Sequence, residues 1–140
     1  MLKALIVEDE QVNREFLLLA LKPHAQCAAV GTGEAALKEL HRALALGEPF
    51  ELVFLDVMLP GMDGLKTLEM LRALEDDFGV GESDRAKVIV TTVLNDHQTA
   101  SRAFIHGHAA SFLTKPFRLR EVLDELATLG LIEGAPKAAP

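Results

Sequence analysis

Residues 52–64 read LVFLDVMLPGMDG: four apolar residues run straight into the carboxylate of Asp56, and Val57, Met58 and Leu59 then lead to a Pro-Gly pair. An ionised carboxylate at the end of a buried run costs several kcal/mol unless something pairs with it. The stretch therefore reads as a strand covered on both faces, with a last residue placed for a purpose other than solubility.

Other short apolar runs accompany it. Residues 2–7, 25–30, 88–92 and 110–113 are bounded by polar residues or Gly and have strand length. Helix-period segments alternate with them. Val12, Phe16, Leu19 and Ala20, then Ala36, Leu40, Ala43 and Leu44, then Leu119, Val122, Leu123 and Leu126 each space out one apolar helical face. Leu65, Leu68, Leu71 and Leu74 continue the theme less regularly, and 96–106 is the weakest helical segment. Thr32 and Asp63 are placed to cap the second and third helices, and Asn95 with Gln98 has capping-box spacing. Five strand-helix units in succession predict an α/β fold, a parallel sheet with helices on both faces and right-handed crossovers. Strands covered on both faces should be continuously apolar, as LIV, LVFL and VIV are.

At 140 residues, with 49% hydrophobic and 25% charged residues, the chain has the size and composition of one folded domain. Fourteen basic against twenty-one acidic residues leave a formal charge of −7, and no basic cluster exceeds Arg118-Leu119-Arg120. That balance argues against direct binding to nucleic acid or an anionic membrane. The single Cys27 has no disulfide partner, the apolar run 4–7 is too short for a signal-peptide core, and no run is long enough to span a bilayer. A cytoplasmic location is expected. Residues 75–86, EDDFGVGESDRA, read as a long, mobile polar connection, and 131–140 as a flexible C-terminal tail after a domain of residues 1–130.

Ligands of open parallel sheets bind beyond the carboxyl ends of the strands. There the first strand offers Glu8-Asp9-Glu10, the third Asp56, the fourth Thr91-Thr92 and the fifth Thr114-Lys115-Pro116. Two carboxylates about 5 Å apart repel by roughly 3 kcal/mol at an effective dielectric of about 20, so three need compensating charge. Lys115 supplies one positive charge, and Mg²⁺ suits the remaining oxygen-only ligands. No His or Cys is placed to argue for zinc, and His97, His106 and His108 read as surface or packing residues. With Mg²⁺ bound, Asp56 is a plausible phosphoryl nucleophile, its product held by the metal, Lys115 and the Thr92 hydroxyl.

Four motifs in order, VEDE (7–10), LVFLDVMLPGMDG (52–64), KVIVTT (87–92) and SFLTKPF (111–117), closely resemble the receiver domain of two-component response regulators, over roughly residues 2–128. The resemblance implies a three-layer flavodoxin-like (βα)5 fold with five parallel strands in the order 2-1-3-4-5. It implies a signalling switch, with Asp56 accepting a phosphoryl group from a sensor histidine kinase or a histidine phosphotransfer protein. Asp9 would ligate Mg²⁺ directly and Glu8 through water, with the Met58 backbone carbonyl a further ligand. Lys115, before Pro116, often a cis proline in this family, would contact the phosphoryl group. Thr92 and Phe112 would form the switch, Phe112 turning inward as Thr92 moves. The protein would be no enzyme in the turnover sense, assisting only its own phosphotransfer and slow self-dephosphorylation. Output would pass to a partner protein, and a homodimer through the fourth helix, fifth strand and fifth helix fits the family.

One departure is Val93, where the family usually carries a small residue; its β-branched side chain is expected to slow transfer or loss of the phosphoryl group. Two other functions compete. A receiver-like interaction module independent of phosphorylation would not need all the acids together with Asp56, Thr92 and Lys115. A haloacid dehalogenase-like phosphatase would carry a second Asp where Met58 stands, and no Gly-rich loop ending in Gly-Lys-Ser/Thr marks a nucleotide site.

Overall fold

The computed structural model describes residues 1–93, 98, 101–103 and 108–133. The chain alternates β1 (Leu2–Val7), α1 (Gln11–Leu21), β2 (Ala25–Val30), α2 (Gly33–Ala45), β3 (Leu52–Asp56), α3 (Gly64–Asp77), β4 (Lys87–Val93), β5 (Ser111–Lys115) and a C-terminal helix (Leu119–Thr128). All strand pairings are parallel and the order is β2-β1-β3-β4-β5, the flavodoxin-like topology expected.

Because side chains alternate along a strand, each covered strand feeds two cores. Leu5, Val7, Val53, Leu55, Val88 and Val90 face α2 and α3, while Ala4, Ile6, Leu52, Phe54 and Ile89 face α1 and the C-terminal helix. β3 is buried along its whole length, which accounts for the unbroken apolar run that precedes Asp56. Thr32 and Asp63 cap as expected: their side chains accept from the Ala35 and Lys66 amides at 3.1 and 2.8 Å. Among the described residues, no helix is long and apolar enough to cross a membrane.

Three features differ from expectation. In α1, Val12 and Leu19 are 77% and 71% exposed, and the buried stripe is Leu17, Ala20 and Leu21. The run FLLLAL offers more than one apolar face at helical period, and the sheet takes the one carrying two leucines. The strand ends also shift: β3 includes Asp56, and β5 starts at Ser111 and runs through Lys115.

The third difference is the 75–86 connection, which is pinned rather than loose. α3 continues to Asp77, and Glu75 is buried, accepting from Arg72 Nη1 at 2.7 Å and from the Ala86 amide at 2.8 Å. Arg72 also donates to the Ala86 and His108 carbonyls at 3.0 and 2.9 Å. Arg85 donates to the Val80 carbonyl at 3.3 Å and pairs with Asp76. A buried carboxylate is tolerated when paired and hydrogen-bonded in this way. Gln98 and 101–103 are helical, inside the expected fourth helix; Asn95, His97, His106 and 134–140 of the tail lie outside the described residues. His108 is exposed, with φ 53°.

Gly64 begins α3 against the backbone of the strand that carries Asp56. A β-carbon there would collide with the Asp56 carbonyl and the Val57 α-carbon. Gly64→Ala is expected to lower unfolding free energy by about 1–3 kcal/mol in a urea titration, the usual cost of overpacking a rigid contact.

Candidate functional site

Four strands deliver the candidate residues to the carboxyl edge of the sheet. β1 extends one residue through a hydrogen bond from the Glu8 amide to the Val30 carbonyl, 3.0 Å, which brings Glu8 inward while Asp9 stays exposed. β3 ends in Asp56, whose Oδ1 accepts from the Met58 amide at 2.8 Å. That bond bends the chain just beyond the strand and leaves the Met58 side chain exposed. The Arg14 guanidinium reaches back from α1 to the carbonyls of Glu8 and Asp9, at 3.0 and 3.5 Å.

Oxygens of Glu8, Asp9 and Asp56 all lie within 4.8 Å of one another. Lys115 bridges two of the three: its Nζ stands 2.9 Å from Asp56 Oδ2 and 2.9 Å from Glu8 Oε2. Its hydrogen bond to Glu8 goes to Oε1, at 3.2 Å, so the buried Oε2 is an ion-pair neighbour that accepts no well-directed hydrogen bond. Three carboxylates thus face one ammonium, and one buried carboxylate oxygen lacks a donor. An all-oxygen set with surplus negative charge fits a hard divalent cation such as Mg²⁺.

The electrostatics agree with the geometry. Burial foremost pushes the Glu8 carboxyl above the ordinary range; the Lys115 hydrogen bond opposes this and the Asp56 charge adds to it. At Lys115 burial works to lower the pKa, but hydrogen bonds and charge from Asp56 and Glu8 outweigh it and hold the ammonium above the usual lysine value. The amine is therefore charged throughout the physiological range.

The remaining expected residues surround this cluster. Thr92 is buried near the end of β4, and its hydroxyl donates to the Val93 carbonyl at 3.4 Å. Val93, half exposed, pairs in register with Lys115. Phe112 is 38% exposed on β5. The Lys115-Pro116 peptide bond is cis. Arg14 escaped the sequence reading, because its contacts are to backbone and gave no signal. Thr91, named beside Thr92 at the strand end, stands in register with Asp56.

The profile of the response regulator receiver domain matches residues 4–127. The chain is 36% identical over 142 residues to the response regulator protein FleR of Pseudomonas aeruginosa, a match covering 99% of this chain and 27% of that protein. It is 34% identical over 130 residues to the probable C4-dicarboxylate response regulator DctR of Bacillus subtilis, covering 89% of this chain and 50% of DctR. It therefore spans half or less of the length of these curated relatives. The receiver domain of the sensor histidine kinase PA1611 from P. aeruginosa has the same fold, with a TM-score of 0.71 at 23% identity over 91% of this chain and 95% of that one. By its sequence and its strand order together, the chain belongs to the response regulator receiver domain family of two-component signal transduction.

Proposed function

We propose that this chain is a phosphorylation-dependent switch in which Asp56 accepts a phosphoryl group from the phosphohistidine of a sensor histidine kinase or a histidine phosphotransfer protein. The observation that carries the reading is the Lys115 ammonium held 2.9 Å from Asp56 Oδ2, beside two further carboxylates. An Asp56 oxygen forms the new P–O bond as the P–N bond to the donor imidazole breaks, and the imidazole leaves with that electron pair. Lys115 keeps its charge and follows the oxygen that becomes part of the acyl phosphate. Glu8, Asp9, Asp56 and the Met58 carbonyl would hold Mg²⁺, which supplies charge neutralisation when bound. The PA1611 receiver domain was solved with a magnesium ion coordinated in its active site cleft.

Thr92 gives up its weak bond to the Val93 carbonyl to donate to a phosphoryl oxygen, which pulls the end of β4 inward. Phe112, partly exposed on the neighbouring strand, follows. The changed surface of β5 and the C-terminal helix, where Phe112 and Leu119 already expose apolar area, passes the signal to an output protein or to a second copy. The protein acts in the cytoplasm and catalyses only its own phosphotransfer and slow dephosphorylation.

With Mg²⁺ and acetyl phosphate, intact mass spectrometry should find one phosphoryl adduct on the wild type and none on Asp56→Ala. Absence of an adduct from either a kinase or the small donor would overturn the proposal in favour of a phosphorylation-independent module. Because the Glu8 pKa is raised in the fold, its contribution to metal-free stability is full below the ordinary carboxylate pKa and is lost as pH rises to the raised one, so Glu8→Gln should stabilise the metal-free protein at neutral pH. A gain of about 2–4 °C in Tm is expected, together with loss of most of the Mg²⁺-induced thermal shift. Val93→Ala should shorten the acyl phosphate lifetime by opening access for water; equal decay rates would remove Val93 from the account.

A further inference from the structure

Two buried side-chain oxygens among the described residues have no hydrogen-bond partner, Glu8 Oε2, one residue past the end of β1, and Thr91 Oγ1 on β4, the strands on either side of the one that carries Asp56. The first is explained by the cation site. The second is not, because valine has the same branched shape, suits a buried strand and would leave no hydroxyl unsatisfied.

The sheet register gives the hydroxyl a neighbour. Asp56 pairs with Thr91 and Thr91 with Leu113, so the three side chains project from one face. Lys115 lies two residues beyond Leu113 and shares that face. It is rooted on β5, yet it bonds to Asp56 on β3 and to Glu8 beyond β1. Two strand spacings, about 10 Å, separate β5 from β3, so the lysine stem must lie across β4. On that face β4 offers Val93, in register with Lys115 itself, and Thr91, in register with Asp56, so the stem crosses from the first toward the second.

An ammonium has three protons. Two of them go to Glu8 Oε1 and Asp56 Oδ2. When a cation claims the Glu8 oxygens, Lys115 loses one acceptor, and a buried hydroxyl oxygen without a partner stands on the same face of the sheet. We infer that Thr91 is a positioning residue whose hydroxyl oxygen accepts a hydrogen bond from the freed N–H, so that Lys115 releases Glu8 to the metal while keeping its hold on Asp56. The inference rests on the metal-dependent phosphoacceptor reading and deepens it.

Thr91→Val and Thr91→Ser in the full chain test it, with Mg²⁺ binding followed by calorimetry and Tm measured without metal. Thr91→Val should raise the metal-free Tm by about 2–4 °C, as an unsatisfied hydroxyl is removed, yet weaken Mg²⁺ binding about fivefold, because Lys115 then clings to Glu8. Thr91→Ser should bind Mg²⁺ as the wild type does. A packing role alone would move stability and leave Mg²⁺ affinity unchanged. Unchanged affinity in Thr91→Val, or weakening that Thr91→Ser fails to restore, overturns the inference while a Mg²⁺-binding, phosphorylatable wild type keeps the phosphoacceptor reading intact. A wild type that does neither overturns both.

Discussion

The ion pair from Lys115 to Asp56 and Glu8 is the constraint on which the rest of the molecule turns. It joins the fifth strand to the third and to the residue after the first across an intervening strand, and it partly neutralises a cluster of three acids. Everything nearby serves to hold that unfavourable arrangement in place. β3 is buried throughout, the Met58 amide fixes one Asp56 oxygen, Arg14 braces the loop after β1, and Gly64 lets α3 approach the strand end without a clash. The surplus negative charge left after Lys115 is counted suits the site to a hard cation.

Much of this was legible in the residues because the physics acts locally. A strand covered on both faces has to be continuously apolar, so LVFL and VIV declared themselves, and caps at Thr32 and Asp63 followed from single side chains bonding to amides three residues on. Asp56, Glu8, Asp9 and Lys115 were legible for another reason: each sits where an apolar run stops, and parallel topology sends all such stops to one edge.

What escaped depended on tertiary choice. The face that α1 buries is decided by the sheet beneath it, since FLLLAL supports more than one apolar stripe, and Val12 and Leu19 end up in solvent. The 75–86 stretch looks loose because composition registers charge but not pairing; Glu75, Arg72, Asp76 and Arg85 neutralise each other in space. Thr91 beside Thr92 was ambiguous because adjacent hydroxyls differ in role only through the alternation of the strand and its register with β3.

The buried Glu75–Arg72 pair has a wider meaning once the two edges of the sheet are compared. At the amino edge of β4, carboxylate, guanidinium and backbone satisfy one another from α3 to the start of that strand. At the carboxyl edge, oxygens go without donors and a lysine is divided between two acids. The sheet is thus like a cantilever, anchored firmly at one end and deliberately unfinished at the other. A new charge at the free end would act on the loops and strand tips around it, with the anchored end as the fixed frame against which they could move.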